Sequence, residues 1–272
     1  MAGCSSCGGG GCGSSGVRVP GLQRLGLRPG DWDAVVALAG NPNTGKSTVF
    51  NRLTGLRQHT GNWPGKTIAR AEGGFAYRDR RYRLIDLPGT YSLLSASPDE
   101  EVARDFILFG RPDVVVVVTD ATALERNLNL ALQVLQITER VVVCLNLTDE
   151  ARALGVDVDA KGLREDLGVP VVPCVAREGR GIAELLDAIH EVSTGQAKCS
   201  PMILNLRVPG LEVALDRMTS LLTDAYGHLP QARWIALRLL HGDRRITEAV
   251  ENGEIVGLTH PAVAAKMGIG HG

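Results

Sequence analysis

The chain has 272 residues, with 29 Lys and Arg against 30 Asp and Glu, a net charge of −1, 44% apolar residues and 4% aromatic residues. That length holds one good-sized domain plus a smaller one, with a core of Val, Leu, Ala and Ile in the α/β manner. The charge balance lacks the footprint of a nucleic-acid binder, Asp113 and Asp120 close off the longest valine run before it reaches a membrane span, and the N-terminus lacks the basic and apolar regions of a signal peptide. The chain as given reads as soluble, and its scattered thiols as those of a reducing cytoplasm.

Residues 1–16, MAGCSSCGGGGCGSSG, form a Gly-, Ser- and Cys-rich tail that is expected to be disordered. Cys4 and Cys7 have a C-x₂-C metal-ligand spacing, but with Cys12 only three thiols are present where a tetrahedral site needs four ligands, so a redox-sensitive tail is favoured over a formed metal site. Residues 17–33, ending in RPGDWD, lead into the first strand. Val35 to Ala39 reads as a short apolar strand, Gly40 to Lys46 as a glycine-containing loop, and a helix starts near Ser47. Gly40, Gly45, Lys46 and Ser47 fit G-x-x-x-x-G-K-[ST], with Asn41, Pro42, Asn43 and Thr44 between the glycines and Thr48 after. Glycines let successive backbone N–H groups converge on phosphate oxygens, with the positive helix end behind them. Lys46 would neutralise β- and γ-phosphates and the Ser47 hydroxyl would ligate Mg²⁺. This is a nucleotide phosphate site.

The helix continues to Leu56, with Val49, Phe50, Leu53 and Leu56 on one face. Residues 57–67, RQHTGNWPGKT, read as a loop. Thr67, preceded by Gly65 and Lys66, stands where a switch segment supplies a threonine to the γ-phosphate side of Mg²⁺. Strands are expected at 68–77 and 81–86, joined by Arg78-Asp79-Arg80. The second runs into Asp86-Leu87-Pro88-Gly89, where the Asp can hold Mg²⁺ through water and the glycine N–H can reach the γ-phosphate. Residues 90–106 read as a mobile loop passing into a helix near Asp99.

A buried strand at Val114–Thr119, a helix at Asn127–Ile137 and another buried strand at Val141–Leu145 follow. The latter ends in Asn146-Leu147-Thr148-Asp149. An Asp there can accept from the ring N–H and the exocyclic amine of guanine, a pair that adenine does not offer, and Asn146 would tie this loop to the phosphate loop. Val169–Pro173 is the last strand, leading to Cys174-Val175-Ala176, where the Ala176 N–H would contact guanine O6. A turn at Gly179 to Gly181 opens a helix over 182–192, and Thr194-Gly195-Gln196 ends the pattern. Beyond it Leu211, Leu215, Met218 and Leu222 repeat at helical spacing. Pro230 opens a second helix carrying Trp234, Ile235 and Leu239, and Thr259-His260-Pro261 would cap a third. His228, His241 and His260 read as surface or cap residues.

The ordered motifs GNPNTGKS, NWPGKT, DLPGTYSL and NLTD resemble a translation-factor-type P-loop GTPase, and more narrowly the cytoplasmic G domain of ferrous iron transport protein B. The resemblance covers about 34–194, and 196–272 is similar to that family's small helical domain, which is thought to damp GDP release. It implies an α/β P-loop GTPase fold, a mostly parallel sheet flanked by helices, with a small all-helical C-terminal domain. The division would be a tail and lead-in at 1–33, a G domain at 34–194 and a helical domain at 195–272. The implied activity is hydrolysis of GTP to GDP and phosphate, with Lys46, Thr67 and Gly89 as the catalytic set. Ser47, Thr67 and Asp86 would hold Mg²⁺, and Asn43 would help hold an activating K⁺.

The implied partners are GTP and GDP, a membrane-spanning transport domain of the same full-length protein, small accessory iron-transport proteins and further copies of the chain, without nucleic acid. The implied place is the cytoplasmic face of a bacterial inner membrane. Three departures stand out. Thr90 replaces a common water-orienting glutamine, which implies slow hydrolysis. Leu147 replaces a common lysine, which implies weak binding and fast exchange. Val175 replaces a common serine in the last guanine loop. The rival readings are a free-standing GTPase acting on RNA or the ribosome, and a metal sensor read through the tail thiols.

Overall fold

The computed structural model describes Leu22, Leu25, Gly30 and residues 32–56, 58–94, 97–201, 210–227, 229 and 231–258. The cysteine tail and the proposed cap at 259–261 lie outside the described residues, as do Pro230, His228 and His260. The first half runs β1 (Ala34–Gly40), α1 (Lys46–Thr54), β2 (Gln58–Asn62), β3 (Ala69–Tyr77), β4 (Arg80–Asp86), α2 (Pro98–Asp105), β5 (Val114–Asp120) and α3 (Leu124–Ile137). Then come β6 (Val141–Asn146), α4 (Thr148–Ala153), α5 (Ala160–Leu167), β7 (Val171–Pro173), α6 (Ile182–Thr194), α7 (Leu211–Tyr226), α8 (Ala232–Leu240) and α9 (Arg244–Glu251).

Seven strands make one mixed sheet in the order β2-β3-β4-β1-β5-β6-β7. The five from β4 to β7 are parallel, and β2 and β3 are added antiparallel at one edge. On β1, Val36 and Leu38 are buried on one face and Ala37 and Ala39 on the other, the pattern of a central strand covered on both sides. The Val36 side packs on Val49, Phe50 and Leu53 of α1 and Leu185, Ile189 and Val192 of α6. The Ala37 side packs on α2 and α3 and runs without a break into Leu215, Trp234, Ile235 and Ile246 of the last three helices.

The segment 57–67 is not a loop throughout: Gln58–Asn62 pairs with Ala69–Gly73 as an edge strand. Its residues lack apolar alternation because one ladder partner, rather than burial, holds an edge strand, so periodicity is silent there. Helices α4 and α5 also leave no periodic signal. They are one to two turns long, too short for periodicity, and α5 is set by its Asp159 cap, whose side chain accepts from the N–H groups of Lys161 and Gly162. Ser97 caps α2 in the same way, just ahead of Pro98. The third described C-terminal helix is α9, capped by the Asp243 side chain. His241 is exposed and ends α8, as expected of a cap residue.

Candidate functional site

The phosphate loop connects the end of β1 to the start of α1. A Cβ on Gly40 would lie 2.8 Å from the Val118 carbonyl oxygen. Gly45 has φ +80°, and a Cβ there would lie 2.3 Å from Nδ2 of Asn146. Asn43 is also left-handed, at φ 68°, a conformation Asn tolerates better than most residues. Thr44 is buried, its hydroxyl donating to the Asn41 carbonyl at 3.0 Å. Helix α1 then starts with no side-chain cap and no acidic residue in its first turn. Its first N–H groups and its positive end are therefore open to an anion. Asn41 is 3% exposed, and neither polar atom of its amide has a hydrogen-bond partner among the described residues. A buried polar group left so costs about 1–3 kcal/mol, which a polar ligand in the loop would relieve.

Lys46 donates to the Leu87 carbonyl at 2.8 Å and is paired with Asp86. Asp86 ends β4 opposite Leu38 of β1. Burial pushes its carboxyl up from the ordinary aspartate range, against the pull of the Lys46 ammonium. The following loop rests on the phosphate loop: a Cβ on Gly89 would meet Pro42 at 3.6 Å, and the Thr90 N–H donates to the Gly40 carbonyl at 3.2 Å. The Thr90 hydroxyl is occupied, donating to the Ser92 carbonyl at 2.7 Å and accepting from its N–H at 3.2 Å. Leu87 is buried, its N–H on the Leu38 carbonyl at 2.9 Å.

Thr67 is exposed. Since Ala71 faces Asp86 across β3 and β4, Thr67 lies past the carboxyl end of β4, the same sheet edge as Gly89. No hydrogen bond joins Thr67 to Ser47 or Asp86 among the described residues. Its neighbours are held by α2 and the residue that ends it instead: Lys66 pairs with Glu101 at 2.9 Å, and Trp63 packs edge-on against Phe106, the C-cap of α2, with ring centroids 5.4 Å apart. Ser47, Thr67 and Asp86 supply oxygen alone, without thiol or imidazole, which suits a hard cation such as Mg²⁺.

At the other end of the edge, Asn146 is 1% exposed and bridges two loops. Its Nδ2 donates to the Thr44 carbonyl at 2.9 Å, and its Oδ1 accepts the Ala176 N–H at 3.0 Å. The Ala176 N–H that would meet guanine O6 is thus already engaged. Asn146→Ala is expected to leave both partners buried and unsatisfied and to cost about 2–4 kcal/mol of folding free energy, read as a shift in the urea midpoint. Leu147 takes φ 60° to begin α4, and the Thr148 hydroxyl donates to the Cys174 carbonyl at 3.1 Å. Cys174 and Val175 are buried, and the Val175 N–H donates to the Arg180 carbonyl at 3.0 Å, so both side chains serve the core.

Asp149 keeps Oδ1 buried and without a partner among the described residues, while Arg177 holds Oδ2. Burial alone would raise its pKa, but the Glu150 N–H and the Arg177 charge outweigh that and leave it lowered, so the carboxylate is ionised at neutral pH. Arg177 and Arg52 carry no motif that marks them in the sequence. Arg52 of α1 donates from Nε to the Ala176 carbonyl at 2.9 Å and also bonds the Arg177 carbonyl. It lies 124 positions from Ala176, and nothing local points to that contact.

Phosphate loop, Asp86–Gly89 loop and Asn146–Asp149 corner share the carboxyl edge of one mixed sheet, where ligands bind in open α/β folds. That is the P-loop GTPase fold, with the donor set of its guanine-nucleotide-binding class. Comparison with known proteins narrows it. A family model described as ferrous iron transport protein B matches residues 34–189. The Fe(2+) transporter FeoB of Salmonella typhimurium is 42% identical over 215 residues, 76% of this chain and 27% of that protein. A Porphyromonas gingivalis Fe(2+) transport protein A/Fe(2+) transporter FeoB fusion protein is 40% identical over 220 residues, 79% of this chain and 26% of that one. The cytosolic domain of L. pneumophila FeoB superposes with a TM-score of 0.73 at 33% identity, covering 85% of this chain and 92% of that one. The chain belongs to the ferrous iron transport protein B family, and its mixed sheet with flanking helices matches the family's G-domain structures. It spans about a quarter of the length of the curated relatives it matches, 27% of the Salmonella protein. No helix among the described residues is long and apolar enough to cross a membrane.

Proposed function

We propose that this chain binds GTP and hydrolyses it to GDP and phosphate, as the regulatory G domain of a bacterial ferrous iron transporter whose membrane domain acts at the inner membrane. The supporting observation is Asn146, which joins the phosphate loop to the guanine corner by two buried hydrogen bonds. The phosphates would lie across the open N-terminus of α1 and draw Lys46 from Asp86 and the Leu87 carbonyl. Gly89, already against Pro42, would offer its N–H to the γ-phosphate, and Asn146 with Asp149 would hold the base.

Ser47 and Thr67 would hold Mg²⁺, with Asp86 supporting it through water, and Asn43 would help hold K⁺. These cations, when bound, neutralise charge that develops on the transferring phosphoryl group. Movement of Thr67 toward Ser47 would draw its segment from α2, and breakage of the Lys66–Glu101 pair would then accompany γ-phosphate binding. Thr90 spends its hydroxyl on Ser92, which supports a slow intrinsic rate. The helices from 195 onward would act as a unit that damps GDP release, with boundaries at 34–194 and 195–272. GTP state would reach them through the loop after Gly89.

The test is nucleotide competition. Wild type is expected to bind GTP far more tightly than ATP, and Asp149→Asn to lose about 10- to 100-fold of GTP affinity, the worth of hydrogen bonds to a charged acceptor. An unchanged preference in that variant would remove Asp149 from guanine recognition.

A further inference from the structure

The carboxylate that would read guanine is not free. Arg177 holds Oδ2 of Asp149, which leaves Oδ1, buried and without a partner among the described residues, as the oxygen not yet engaged. Guanine offers its ring N–H and exocyclic amine side by side and needs both oxygens. The backbone carrying Arg177 cannot simply move away, because Arg52 grips the carbonyls of Ala176 and Arg177 from α1. The Arg177 side chain can. It is 60% exposed, and two alternative acceptors stand beside it: Oε1 of Glu150, 3.7 Å from Nη1, and Oε1 of Glu178, 3.8 Å from Nε.

We propose that Arg177 is a side-chain gate on the guanine subsite. It competes with the base for one oxygen of Asp149 and, when the base enters, passes to Glu150 and Glu178 while Arg52 keeps the loop backbone in place. The gate rests on the guanine-nucleotide reading above and adds a residue that sets affinity and entry rate. Because the Arg177 side of the pair is 60% exposed, its opposition to binding is modest and weakens with salt. Gate and acceptors lie in one loop and one helix start, so the swing needs no change in the sheet.

The experiment is stopped-flow association and equilibrium titration of the full chain with mant-GDP, at low and high salt. Arg177→Ala is expected to bind about two- to five-fold more tightly through faster association, and to lose the acceleration by salt that wild type shows. The double variant Glu150→Gln with Glu178→Gln removes the negative charge of the alternative acceptors and is expected to shift affinity the opposite way, which a general loosening of the loop would not do. Arg177→Ala binding no better than wild type, or worse, overturns the gate, since the guanidinium would then be assisting the base. A folded wild type that binds no mant-GDP overturns the nucleotide reading itself, and the gate with it.

Discussion

Asp243→Asn is expected to lower the folding free energy by about 3–5 kcal/mol, the cost of removing one partner from a buried ion cluster. Asp243 is 8% exposed, and its Oδ2 accepts from Nη1 of Arg104 at 3.1 Å and from Nε and Nη2 of Arg238 at 2.9 and 2.7 Å. Arg104 is fully buried and Arg238 is 6% exposed. An amide in place of the carboxylate leaves two buried guanidinium cations, of which Arg104 keeps Asp105, a carboxylate it shares with Arg245. The α9 cap, Oδ1 of Asp243 on the Ile246 N–H at 3.3 Å, is kept if the amide oxygen takes that place, so the loss reports the charge together with the guanidinium hydrogen bonds that an amide NH₂ cannot accept.

Burial pushes the Asp243 carboxyl up, but hydrogen bonds from Arg238 and the charge of Arg104 outweigh it and leave the pKa lowered from 3.8. A lowered acid stabilises the fold above its unfolded pKa and loses that contribution as pH falls through the folded value. The gap between wild type and variant should therefore be full at pH 7 and close as pH falls below about 4. Urea unfolding followed by circular dichroism at pH 7, 5 and 3.5 measures it, and equal midpoints at pH 7 would refute the charge argument. The same variant should speed GDP release, since Asp243 orients Arg238, whose Nη2 donates to the Leu94 carbonyl in the loop beyond Gly89 at 3.1 Å.

Gly45→Ala is expected to cut nucleotide affinity by at least about 100-fold while the chain stays folded. A non-glycine residue in the left-handed region costs about 1–2 kcal/mol. The larger effect is the Cβ, 2.3 Å from Nδ2 of Asn146, an amide that cannot retreat because it is bonded on both sides. Moving it breaks the bonds to Thr44 and Ala176 that set the loop's shape; if binding must restore that shape, it bears about 1–3 kcal/mol for each, and each 1.4 kcal/mol lost in binding is tenfold. Gly55→Ala is the control. Gly55 has φ +61° with nothing within 4 Å of an added Cβ, so it carries the backbone cost without the clash. Calorimetric titration with GDP should separate the two, and equal losses would show backbone strain to be the whole effect.

Elements whose signal is local are legible in the residues themselves. β1, β5 and β6 are buried on both faces, so each is an unbroken apolar run. The phosphate loop is legible because one short segment must hold glycines for backbone curvature, a lysine for charge and a hydroxyl for the cation. Asp86–Gly89 and Asn146–Asp149 follow because each ends a strand on the same edge. Edge strand β2 leaves no such mark, since only its pairing with β3 makes it a strand, and Gln58 to Asn62 are polar or glycine.

Residue types in order thus determined the fold class and the loops that meet at the carboxyl edge of the sheet, because those demands act within a few positions of one another. Only the tertiary structure decided what restrains them. Arg52 on the last guanine loop spans 124 positions, Arg238 on the loop after Gly89 spans 144, and Arg104 on Asp243 spans 139. An arginine has the same look in a sequence whether it is solvated or clamps a carbonyl across the molecule. Its partner is chosen by how the sheet and helices pack, and the spacing of neighbours carries no trace of that choice.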